Sequence, residues 1–157
     1  MSTLNVTNIK AADGTSGLTI ANSTGIVTKP NVPYGQASSN AKTVATAVVN
    51  LNSNVVSGGG MTVDQTNNRI IVPVAGLYMI GFHELADIAG YTEVIMRKNG
   101  TAIAGSRAQT GTSSQYGNFG AHMVISLAAS DYIDWYGQAG TTHNNVNYNN
   151  HYVYLIG

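Results

Sequence analysis

The chain has no cysteine, which excludes disulfides and thiolate metal sites and points away from an oxidising compartment. Charge is also scarce. Only 9% of the 157 residues are Asp, Glu, Lys or Arg, and seven positive side chains balance seven negative ones. With no net field to gather polyanions, nucleic acid is disfavoured as a partner. Long hydrophobic runs are missing too: the longest, Ile70 to Phe82, contains Pro73 and Gly76 and falls short of the roughly 20 residues that span a bilayer. No membrane insertion is expected. Met1 to Lys10 lacks a basic segment followed by an apolar run, so no secretory signal is read and a soluble product made in the cytoplasm is expected.

What the chain does have is small and polar. Glycine numbers 18 and asparagine 17, a composition suited to turn-rich β structure. A surface so poor in charge is more stable when partners cover much of it, so oligomerisation is expected.

About eight short strands are predicted, running Val44 to Leu51, Met61 to Asp64, Arg69 to Val74, Gly76 to Ala86, Thr92 to Lys98, Asn118 to Leu127, Tyr132 to Gln138 and Asn147 to Ile156. Asn99-Gly100 is the dipeptide best suited to a tight hairpin turn, Asn67-Asn68 is a second turn, and Ser57 to Gly60 reads as a flexible break. Ala41 to Leu51 could be a helix, but its Val and Thr content and short length favour a strand. Strands at this spacing without a long amphipathic helix predict an antiparallel sandwich or jelly roll.

The first 30 residues carry scattered apolar positions (Leu4, Val6, Ile9, Leu18, Ile20, Ile26) between Gly-containing turns, too few to enclose a core alone. Pro30 and Pro33 mark a stiff boundary. The predicted organisation is an N-terminal attachment and trimerisation arm over 1–31, ordered by partners, and a knob domain over 32–157.

The sequence carries no recognisable catalytic or metal-site motif. Ser16, Ser113 and Ser114 lack a nucleophile elbow, and no phosphate-cradling loop is present. His83, His122, His143 and His151 lack zinc-site spacing. Glu84, Asp87 and Glu93 could form oxygen ligands for calcium or a solvated loop rim, and they match no dedicated calcium loop. No cofactor or metal is assigned. Three Asn-x-Thr/Ser tripeptides, beginning at Asn5, Asn22 and Asn99, read as chance in an Asn/Thr-rich chain.

The one suggestive surface runs from Thr141 to Asn150. His143, Asn144, Asn145 and Tyr148, joined by Gln115 and Tyr116, offer amide donors and acceptors beside aromatic faces, a combination that suits carbohydrate. The same residues also suit a turn-rich connection whose amides bond their own backbone.

Arg69 to His83 (Arg-Ile-Ile-Val-Pro-Val-Ala-Gly-Leu-Tyr-Met-Ile-Gly-Phe-His) resembles the signature strand of the complement component 1q and tumour necrosis factor family of trimeric jelly rolls. Val94 to Gly100 resembles that family's strand ending in Lys-Asn-Gly. Leu127-Ala128-Ala129-Ser130-Asp131-Tyr132-Ile133 resembles its Leu-x-x-Gly-Asp-x-Val turn with Ser130 in place of Gly, and His151 to Gly157 resembles its closing strand. The resemblance implies an all-β jelly-roll homotrimer around a threefold axis with one sheet facing the axis. In the last strand Tyr152, Tyr154 and Ile156 share one face and His151, Val153 and Leu155 the other, so the first three are the expected trimer interface. His83 and His122 fall on strands that such an axis would bring near their copies, as packing histidines or as an ion-binding ring.

Leu4 to Lys10 and the Lys29-Pro30-Asn31-Val32-Pro33 junction resemble N-terminal segments of bacteriophage fibre and virion proteins. That resemblance implies a virion structural protein made in the host cytoplasm, docked on another virion protein through its arm. Two roles remain open: a fibre or spike knob that contacts host surface glycan, or a capsid decoration protein that stabilises the shell. A polysaccharide depolymerase would need a carboxylate pair in a groove, and the sparse acids argue against an enzyme.

Overall fold

The computed structural model describes residues 8–10, 16–20, 27–28, 32–87, 89–112 and 116–157. The chain divides into two compact units, Met1–Val32 and Pro33–Gly157. In the first, β1 (Asn8–Lys10), β2 (Ser16–Ile20) and β3 (Val27–Thr28) form an antiparallel sheet in the order β1-β2-β3.

The second unit contains β4 (Tyr34–Ser38), β5 (Ala47–Val48), β6 (Ser53–Gly58), β7 (Thr62–Asp64), β8 (Arg69–Ile71), β9 (Gly76–Leu85) and β10 (Gly90–Lys98). It continues with β11 (Thr101–Thr112), β12 (Asn118–Leu127), β13 (Tyr132–Ala139) and β14 (Asn150–Leu155). One sheet runs β11-β10-β13-β8-β7 with β5 added on β13, and the other runs β12-β9-β14-β4-β6. Every pairing is antiparallel. Val94, Met96, Ile133, Trp135 and Ile70 of the first sheet meet Tyr78, Ile80, Phe82 and Val153 of the second in one buried core. Two apolar faces closed on each other in this way supply most of the driving force for folding.

Local sequence explains the corners. Asn99 and Gly100 take φ of 50° and 77°, which turns β10 back as β11 with Lys98 opposite Thr101, as a two-residue primed turn requires. Asn68, at φ 55°, turns β7 into β8, while Asp64 accepts from the Asn67 amide at 3.0 Å and from Arg69 Nε at 3.0 Å.

Three strands were not foreseen. β4 consists mostly of small residues because the core needs the room: a Cβ on Gly35 would stand 2.8 Å from Met61 Cγ and 2.9 Å from Ile70 Cγ2. β6 runs through Ser57 and Gly58, and the expected flexible break is confined to the turn at Gly59 and Gly60, with φ of 59° and 80°. β11 is long and polar, and its ladder is interrupted opposite Met96, where Ile95 pairs with Arg107 and Arg97 with Ala102. The buried Ser106 repairs that gap, accepting from Met96 N at 3.2 Å and lying 2.9 Å from Met96 O.

The single strand expected over Val44 to Leu51 is also corrected. Thr46 at φ 66° interrupts it, so only Ala47–Val48 pairs with β13, while Val49 and Leu51 turn fully into the core.

Candidate functional site

Charge is partitioned between the two sheets. In Pro33–Gly157 all five Lys and Arg side chains have a carboxylate partner. Lys42 pairs with Asp87, Arg69 with Asp64 at 3.0 Å, Arg97 with Asp134 at 2.6 Å, Lys98 with Asp131 at 2.8 Å and Arg107 with Glu93 at 3.0 Å. Apart from the loop pair Lys42–Asp87, these lie on or beside the β11-β10-β13-β8-β7 sheet. The strands of the other sheet hold a single formal charge, Glu84, and it points inward to His151.

The outer face of that second sheet is therefore neutral. Register places His122, Gly81, Tyr152, Gln36 and Val56 in one row across it, and Val124, Met79, Tyr154, Tyr34 and Gly58 in the next. The Tyr152 and Tyr154 rings stack at 5.5 Å and 25°, and the Tyr154 hydroxyl donates to Gln36 Oε1 at 2.6 Å. Burial raises the Tyr154 pKa above its ordinary value, and neighbouring Tyr152 adds to the effect, so this donor keeps its proton. Val56, Leu77, Val124 and Ile156 are about half exposed, which leaves apolar side chains on every part of the face. Of the expected interface residues, Tyr152 and Tyr154 lie here. Ile156 sits just past the strand end, its amide donating to Leu77 O at 2.8 Å.

The second feature is a depression of about 460 Å³ lined by Leu85, Tyr116, Asn118, His143, Asn145 and Tyr148. Its walls are aromatic. The His143 ring lies 5.5 Å from Tyr116 and 5.6 Å from Tyr148, perpendicular to the latter. The floor is fixed by hydrogen bonds: His143 N donates to Leu85 O at 2.7 Å, and buried Asn149 accepts from Leu85 N and donates to His143 O. His143 Nε2 also stands 3.8 Å from Asp87 Oδ1.

Four of the residues singled out in the sequence, Tyr116, His143, Asn145 and Tyr148, thus converge on one concavity. Asn144 is exposed and outside its lining, and Gln115 lies outside the described residues, as do Ser113 and Ser114. Leu85 and Asn118 were missed because they reach the site from strand ends, where sequence shows only sheet pattern. Asn145 also serves its own turn, accepting from Asn147 N at 3.0 Å, so both readings of the loop hold in part.

Glu84, Asp87 and Glu93 do not converge, being bound respectively to His151, Lys42 and Arg107. Among the described residues no group of three or more His, Asp or Glu side chains is placed to hold a metal ion. His83 and His122 project from the neutral face on adjacent strands, His122 opposite Gly81 and His83 opposite Gly120.

No protein-family model and no curated protein matches the chain. Solved structures do. Murine APRIL aligns at a TM-score of 0.63 and 13% identity, over 80% of this chain and 99% of that one. The globular domain of zebrafish complement 1qA aligns at 0.62 and 11% over 82% and 98%, and Eiger TNF from S. frugiperda at 0.61 and 10% over 81% and 94%. At such identities the similarity shows the fold: the chain is an all-β antiparallel sandwich of the tumour necrosis factor and complement 1q jelly-roll type.

Proposed function

We propose that the chain is a non-enzymatic structural knob that assembles as a homotrimer on a virus particle and contacts host surface sugar through the Tyr116–His143–Tyr148 depression. The observation that carries the reading is the neutral outer face of the β12-β9-β14-β4-β6 sheet. A face of two tyrosine and valine rows without a formal charge is unfavourable in water and suited to burial against a like surface, and trimers are what the resembled family builds. The virion setting is supported by the resemblance of Leu4 to Lys10 and of the Lys29–Pro33 junction to phage fibre segments.

The sugar reading is supported by two tyrosine rings and a histidine around a concavity lined by no Asp, Glu, Lys or Arg, with amides of Asn118 and Asn145 in its lining. Apolar sugar faces stack on such rings while hydroxyls bond amides, and three weak sites on one knob act together. Replacing Tyr116, Asn145 and Tyr148 with Ala should abolish particle adsorption to host cells while leaving assembly and particle incorporation unchanged. Undiminished adsorption would instead favour the capsid-decoration role, in which this loop is a turn or a neighbour contact.

A further inference from the structure

Within Pro33–Gly157 the outer face of the five-stranded sheet lacks Asp, Glu, Lys and Arg, so the only basic side chains on it are the imidazoles of His83 and His122. Their neighbours offer no compensation. Beside them on β14 are Asn150 and Tyr152, neither of them a carboxylate. Behind them Glu84 is turned into the core and held by His151 at 2.7 Å. Along β12 packs β11, whose one charge, Arg107, is bound to Glu93. In the loop next to His83, His143 stands 3.8 Å from Asp87, which is bound to Lys42.

His83 is also held in one tautomer. Its Nδ1 lies 3.0 Å from the Tyr148 carbonyl, an atom that only accepts, so Nδ1 carries the proton and neutral His83 keeps a lone pair on Nε2. Protonation at Nε2 places a full charge on the face without breaking that bond.

We infer that this face is a pH-gated self-association surface, closed when His83 and His122 are neutral and opened by acid; the inference rests on the assembly reading above. Burying an imidazolium against an apolar copy carries a desolvation cost with no carboxylate to offset it. Histidine ordinarily titrates near pH ~6.5. By linkage, each imidazole that must be neutral in the assembly weakens association about tenfold per pH unit below its midpoint. With two on every copy, the effect accumulates steeply between pH 7 and 5.

The test is light scattering on the full chain at about 10 µM, at pH 7.5 and pH 5.0, with far-ultraviolet circular dichroism alongside. Three chains at pH 7.5 should fall to one at pH 5.0 with the β spectrum retained. His83→Gln/His122→Gln, which keeps a donor for the Tyr148 carbonyl, should remain at three chains at both pH values. The single variants, each shifting the dissociation midpoint to lower pH, give the same reading if the double variant does not fold. Three chains at both pH values in the unaltered protein would overturn the gate alone, as would dissociation of the double variant. Loss of the β spectrum at pH 5.0 would also overturn it, because acid would then be acting on the fold. One chain at pH 7.5 would overturn the assembly reading itself, and the gate with it.

Discussion

His151 Nε2 and Glu84 Oε1 share a hydrogen bond of 2.7 Å, with both side chains fully buried between the sheets. The His151 ring stacks on Phe82 and meets Trp135 edge-on. Removing one member of a buried pair leaves the other without its partner, so Glu84→Ala should cost about 3–5 kcal/mol. Replacing both members with apolar residues, as in Glu84→Leu/His151→Phe, should recover most of that loss. Urea unfolding of the three proteins checks the order; a double variant no more stable than Glu84→Ala would show that the pair is not the source of the loss.

Gly81 holds the space that the tyrosine stack needs. A Cβ there would meet Tyr152 Oη at 2.4 Å and Ala121 O at 2.9 Å. Gly81→Ala should therefore displace Tyr152, cost about 1–3 kcal/mol in stability as overpacking does, and weaken self-association. Thermal unfolding and light scattering on one sample read both effects.

Ser130 occupies left-handed backbone at φ 70°, where a side chain costs roughly 1–2 kcal/mol relative to glycine. Its amide donates to Val72 O at 2.9 Å, which any residue would preserve. Ser130→Gly should stabilise the fold by about 1 kcal/mol after the greater entropy of glycine in the unfolded chain is deducted. A lower melting temperature for the variant would contradict this.

Asp131 accepts from Lys98, from Asn99 Nδ2 at 2.7 Å and from Ala128 N at 2.7 Å. The hydrogen bonds from Lys98 and Asn99 lower its pKa to about 2 from 3.8. A depressed folded pKa means that this stabilisation is fully present above pH 3.8 and is lost as pH falls toward 2. Asp131→Asn should be less stable than the unaltered chain at pH 5, with the gap closing as pH falls from 4 to 2. Melting curves across that range measure it; a constant gap would contradict the assignment.

Strands with strong apolar alternation or runs, such as Gly76 to Leu85, were legible in the sequence, as was the Asn99-Gly100 hairpin, because local chemistry alone fixes them. β4, β6 and β11 were not. Gly35, Ser53 and Ser106 belong to strands through what the rest of the fold requires of them, a core contact, an edge pairing or a bulge repair, and none of these shows in local pattern. The aromatic depression was legible in part, since Tyr148 and His143 lie close in sequence to the amides of their loop. Leu85 and Asn118 arrive as cross-strand partners at one end of the β9–β12 pair, a pairing that local sequence does not show. The partition of charge was hidden for a related reason: the composition shows scarcity, and only sheet order shows that one face receives none.

The central claim is that the neutral face is covered by two further copies of the chain. Analytical ultracentrifugation at pH 7.5 across micromolar concentrations tests it most directly, run beside Tyr154→Asp, which places a carboxylate in the middle of the face. The account predicts a species of three chains for the unaltered protein and dissociation or aggregation for the variant; a stable monomer for the unaltered protein at every concentration would contradict it.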